Sequence, residues 1–96
     1  MRRAAKVDAN QVRIVKALRA AGCTVCSTAA IGQGFPDLIV GRAENNYLLE
    51  VKDGDKAPSA RKLTHDQRHF FATWSGQAIV VTNVDQALEA VGVTGV

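Results

Sequence analysis

Long apolar runs are missing from this chain. No stretch approaches the roughly 20 consecutive apolar residues that a membrane helix needs, so a membrane-spanning protein is not expected. The opening residues, Met1-Arg-Arg-Ala-Ala-Lys-Val-Asp8, carry charge with no apolar segment behind it. They do not read as a secretion signal, and an intracellular, cytoplasmic protein is the expectation. Cysteine is scarce, with only Cys23 and Cys26. Their C-x-x-C spacing would suit a zinc or redox site, but the second pair of ligands is absent. The segment also reads as a strand, where residues three apart point to opposite faces, so ordinary burial is expected. The two histidines, His65 and His69, lie four apart on a predicted helix with no third soft ligand nearby, which argues against zinc. Aromatic residues make up 5% of the chain. Phe70, Phe71 and Trp74 are expected on the apolar face of that helix, as core, which leaves no broad platform for stacking bases. There is no internal repeat and no low-complexity segment.

What is present is an ordinary globular composition. The 96 residues are 47% apolar and 22% charged, with a net charge of +3. This size allows one domain, residues 1–96, with an adequate but thin core. An extended ligand would be held with help from a second subunit. Asp8 can cap a helix running to about Ala21, stopped by Gly22, with Ile14, Val15, Leu18 and Ala21 in one apolar stripe. Strands are expected over residues 23–28, 37–41 and 47–52, with Arg42–Asn46 connecting the last two as a hairpin. Residues 53–62 read as an exposed loop. A second helix from about Thr64 to Gly76 follows, then Ala78–Thr82 as a strand buried on both faces, then a short helix over residues 84–91. The order α-β-β-β-α-β-α makes an α/β sandwich on a mixed sheet of about four strands.

Three charges fall where strands usually exclude them. Asp37 opens the second strand, and Glu50 and Lys52 lie in the third. Alternation puts Glu50 and Lys52 on one face, with Tyr47, Leu49 and Val51 on the other. If the two strands pair as a hairpin, Asp37 and Glu50 are cross-strand neighbours about 5 Å apart. Two such carboxylates repel unless a cation lies between them, and Mg²⁺ is held by one or two carboxylates together with water and substrate phosphate. Lys52 would point at the same place, able to orient water or offset charge on a phosphate. The plainer alternative is that these are exposed charges on a solvated face.

The full set, Gly34-Phe-Pro-Asp-Leu-Ile-Val and, thirteen residues after Asp37, Tyr-Leu-Leu-Glu50-Val-Lys52, resembles the PD-(D/E)XK nuclease superfamily. It is most similar to the virus-type replication–repair (VRR-NUC) branch and to archaeal Holliday-junction resolvases. The resemblance covers roughly residues 8–83. It implies an αβββαβ restriction-endonuclease-like core and a Mg²⁺-dependent endonuclease, with Mn²⁺ able to substitute and no organic cofactor. Asp37, Glu50 and the Val51 carbonyl would bind the metal, with Lys52 assisting the attacking water. It further implies a catalytic role for Gln11, which holds the place of a first-helix Glu or Gln in the family. As an amide, Gln11 would contact water near the ion rather than the ion itself. Gln67 matches a Gln early in the second helix, although Thr64-His-Asp-Gln67 is also a capping box, and one residue can do both.

Phosphate contacts come from Lys, Arg and backbone amides. The candidates are Arg2, Arg3 and Lys6 at the start, and Lys56, Arg61 and Lys62 in the loop just beyond Lys52, each of them equally readable as a solubilising charge. The family implies a homodimer acting on branched or duplex DNA, such as a Holliday junction, in phage-type replication and repair. The uncharged loop Thr28-Ala-Ala-Ile-Gly-Gln-Gly34 departs from the resolvases, which carry polar and basic residues there. Two alternatives stand beside this reading: a DNA-binding module that keeps the fold without catalysis, and a plain interaction domain.

Overall fold

The computed structural model describes residues 8–94. Its elements run α1 (Ala9–Ala20), β1 (Thr24–Ser27), β2 (Leu38–Arg42), β3 (Asn45–Val51), a 3₁₀ turn (Pro58–Arg61), α2 (His65–Thr73), β4 (Ala78–Val81) and α3 (Val84–Ala90). The strands form one mixed sheet in the order β1-β2-β3-β4, antiparallel except for the parallel pair β3–β4. This is the expected α/β arrangement, αβββαβ with a further helix, its sheet flanked by three helices.

Local chemistry sets the element ends. The Asp8 carboxylate accepts from the Gln11 N–H and so caps α1. At the other end the Gly22 and Cys23 amides donate to the carbonyls of Arg19 and Leu18, a Schellman closure. It requires the left-handed backbone that Gly22 adopts at φ +91°. Ala21 lies in this cap and is exposed, so the predicted stripe stops one turn early. Asn83 caps α3 in the same way that Asp8 caps α1.

The hairpin is tighter than the five-residue connection expected. Arg42 pairs with Asn45, so Ala43 and Glu44 alone make the turn, both at positive φ (49° and 66°). A two-residue loop matches the twist of paired strands only with left-handed backbone. The strand register imposes that conformation on two residues that do not favour it.

The core lies on one side of the sheet. Leu38, Val40, Leu49, Val51 and Val81 pack there against Ile14 and Leu18 of α1, Ala87 of α3 and Val91 just beyond it. The opposite face is covered only in part by α2, which contains no buried residue. Phe70 and Phe71 are half-buried and Trp74 is 45% exposed, so the expected aromatic core face is a surface cluster instead. The helix also ends at Thr73 with Trp74 as its cap, short of Gly76. Nor is β4 buried on both faces. It is an edge strand, and Val80 is 37% exposed on the side where α2 leaves the sheet uncovered. Cys23 is buried and Cys26 exposed, both as free thiols. His65 and His69 are exposed on α2. No helix among the described residues is long and apolar enough to cross a membrane.

Candidate functional site

The β2–β3 register matches Leu38 with Leu49. Continued by one residue it sets Asp37 opposite Glu50, the pairing expected from alternation. Asp37 stands where β2 begins, and its Oδ2 accepts from the Val51 N–H at 2.8 Å. Its backbone carbonyl accepts from the Thr28 N–H, so the residue is anchored on both sides.

Glu50 is 2% exposed, on the sheet face beneath α2. The Lys52 Nζ lies 3.5 Å from its Oε2. Gln67, reaching down from the first turn of α2, joins them: its Nε2 donates to Glu50 Oε2 at 3.0 Å and its Oε1 accepts from Lys52 Nζ at 2.8 Å. The same Oε1 accepts from the Thr64 N–H while the Gln67 N–H donates to Thr64 Oγ1, completing the capping box. Gln67 thus completes the capping box and also bonds Glu50 and Lys52, and through it the capped end of α2 is fastened onto these residues.

Glu50 Oε1 is buried with no hydrogen-bond partner. A buried carboxylate oxygen left unmatched is costly, and the cost falls on the charged form. Burial, and next the Asp37 carboxylate, push the Glu50 pKa from 4.5 up to about 7, while the Lys52 ammonium pulls the other way. A buried carboxylate with one unpartnered oxygen, set cross-strand from a second carboxylate, is a donor set suited to a hard divalent cation. Among the described residues no group of three or more His, Cys, Asp and Glu could hold a metal, so any ion here would rest on Asp37, Glu50 and the Val51 carbonyl, with water and ligand completing its shell.

The remaining candidates are dispersed. Gln11 is buried at the start of α1, but α1 packs on the other face of the sheet. There it lines a surface cavity of about 440 Å³ with Val12, Val15, Val25 and Leu38. Among the described residues its side-chain amide has no hydrogen bond, and nothing joins it to Asp37, Glu50 or Lys52. Lys56 and Lys62 are exposed in the loop after β3. Arg61 is half-buried, with its Nε enclosed and unpartnered. Arg2, Arg3 and Lys6 lie outside the described residues.

Two positions were not anticipated. Asn10, 5% exposed, donates through Nδ2 to the carbonyls of Lys52 (2.9 Å) and Thr82 (3.1 Å), tying together the C-terminal ends of β3 and β4. Its signal was present, since it sits one turn before Ile14 on the apolar stripe, where a polar residue needs a partner. Gly34 runs so close to α2 that a Cβ would fall 2.4 Å from the Asp66 carbonyl carbon and 2.8 Å from the Gln67 nitrogen, and its φ is +80°. Only glycine lets that loop support the turn bearing Gln67.

No family model, curated protein or solved structure matches the chain.

Proposed function

We propose that the chain is a Mg²⁺-dependent endonuclease that hydrolyses phosphodiester bonds in DNA, with branched or junction DNA as its substrate class and a homodimer as its working form. The motif resemblance to PD-(D/E)XK nucleases of the VRR-NUC type supports this reading. The observation that carries it is the opposed pair Asp37 and Glu50, with an orphaned Glu50 oxygen and Lys52 alongside. Asp37, Glu50 and the Val51 carbonyl would hold the ion, with Mn²⁺ able to replace Mg²⁺. Bound there, the cation supplies Lewis-acid stabilisation of charge on the phosphate and relieves the repulsion between the carboxylates. The chain's own residues do the rest. Lys52, held by Gln67, brings a fixed positive charge to the attacked phosphate and orients the incoming water. Asn10 steadies the strand end carrying Lys52. Lys56, Arg61 and Lys62, with Arg2, Arg3 and Lys6, supply phosphate contacts. An intracellular, cytoplasmic setting in phage-type replication and repair belongs to the same proposal.

The identity of residue 11 favours one alternative, a DNA-binding module that keeps the fold without catalysis, because Gln11 in place of a Glu leaves Asp37 and Glu50 as the two carboxyl side chains of the assigned site. A single assay separates the two. Labelled duplex, flap and four-way-junction DNA are incubated with the purified protein in Mg²⁺, in Mn²⁺ and in chelator. Cleavage is expected with either ion and none in chelator. Asp37→Ala should lower the rate by more than the roughly 10–100-fold typical of outer-shell partners. DNA binding without cleavage of any substrate would establish the binding module, and full activity in Asp37→Ala would refute the assigned site.

A further inference from the structure

The aromatic cluster on α2 remains unexplained by the fold. The Trp74 and Phe70 rings stack with centroids 4.8 Å apart and planes 20° from parallel, and Phe35 meets both edge-on at 6.0 and 5.3 Å. Trp74 is nevertheless 45% exposed. Gly76 leaves room for the indole beside it, since a Cβ there would lie 2.9 Å from Nε1. The cluster is built by two of the segments that build the carboxylate site. Phe35 is joined to Asp37 through the buried Pro36, and Phe70 follows Gln67 by one turn. Trp74 lies seven residues beyond Gln67, about 10 Å along a helix axis.

We propose that Trp74, backed by Phe70 and Phe35, is a shelf on which an unpaired nucleobase of the bound strand stacks. The inference rests on the nucleic-acid reading above and names the substrate feature it requires. An exposed indole held by other rings offers a π-face at little entropic cost, and any base can stack on it. Within a duplex both faces of each base are already covered, so the shelf selects unpaired bases at flaps, branch points or strand ends. The surroundings suit a nucleic acid better than a protein. The neighbouring Ala72, Thr73, Ser75 and Gln77 are exposed and small or polar, while Arg68 and His69 stand exposed on the same helix. A protein interface needs about 800 Å² from each partner, far more than one indole supplies.

Trp74 is the only tryptophan, so its emission reports directly on the shelf. The full chain is titrated in chelator, and again in Ca²⁺, with three probes: a single-stranded oligonucleotide, its blunt duplex, and an abasic strand of equal charge. Binding is followed in parallel by anisotropy of the labelled strand. Saturable quenching is expected with the single strand and not with the duplex or abasic strand. Trp74→Ala should weaken single-strand binding by roughly 5- to 100-fold, with Trp74→Tyr close to wild type. Binding without quenching, equal quenching by the abasic strand, unchanged affinity in Trp74→Ala, or no binding of any probe would each overturn the shelf. So would emission that shifts with protein concentration alone, with self-association lost in Trp74→Ala, since that identifies a protein contact. If Trp74→Ala fails to fold, the abasic comparison decides on the wild-type protein. Base-dependent quenching without cleavage keeps the shelf and removes the endonuclease, whereas cleavage without quenching does the reverse.

Discussion

Glu50 concentrates the energetic tension of the molecule. It is a buried carboxylate beside another carboxylate, and its protonation is favoured by folding. Because its folded pKa of about 7 lies above the usual 4.5, the stability it contributes is fully present below about pH 4.5 and is lost as pH rises through 7. The metal-free protein should therefore lose stability on the order of 3 kcal/mol between pH 4.5 and 8 from this group. Glu50→Gln keeps the shape and removes the titration. Its thermal midpoint should exceed wild type at pH 8 and match it near pH 4.5, in melts followed by circular dichroism. A midpoint for Glu50→Gln below wild type at both pH values would contradict the assigned strain. Gln67 has the opposite character, because its side chain has three hydrogen-bond partners. Gln67→Ala should cost about 1–3 kcal/mol in urea unfolding, from the lost cap and from partners left unmatched at the buried site.

Among the elements, the β2–β3 hairpin and α2 show how tertiary demands override local preference. Ala43 and Glu44 occupy left-handed backbone that costs roughly 1–2 kcal/mol per residue, and nothing in that dipeptide announces a two-residue turn. The register is fixed by Leu38, Val40 and Leu49, which a slip of one residue would turn away from the core. Glu44→Gly should relieve part of the strain and stabilise the protein by about 1 kcal/mol, a rise of roughly 4–8 °C in the thermal midpoint. No change would mean that the turn carries little strain. For α2 the aromatic spacing at Phe70, Phe71 and Trp74 reads as a core face. Sequence periodicity gives the side on which residues cluster, but not whether anything covers them.

At the scale of the whole molecule, a body of 39 × 31 × 29 Å with a one-sided core supports a single site on its thinner face. Roughly 30 Å of contact spans about nine base pairs of duplex at ~3.4 Å each, which fits the proposal that two copies share a branched substrate. A ligand that binds only the folded form stabilises it by mass action. Mg²⁺ at about 100 times its dissociation constant should stabilise the wild-type protein by about 2.7 kcal/mol, and Asp37→Ala should remove the effect. Equal stabilisation of both proteins would place the cation elsewhere.

The element order, the caps at Asp8 and Thr64, and the opposition of Asp37 to Glu50 were legible in the sequence. Each depends on periodicity or on side chains reaching nearby backbone, and such information is local. Gln67 was legible for the same reason, since its capping role and its site role share one short stretch of chain. The clamp from Asn10 to Lys52 and Thr82, the approach of Gly34 to α2, the placement of Gln11 on the helix that covers the core face and the exposure of Trp74 were settled only by the tertiary structure. Those features depend on which face of the sheet each helix covers, and on how completely. That is decided by packing between segments far apart in the chain, where no local pattern carries the information.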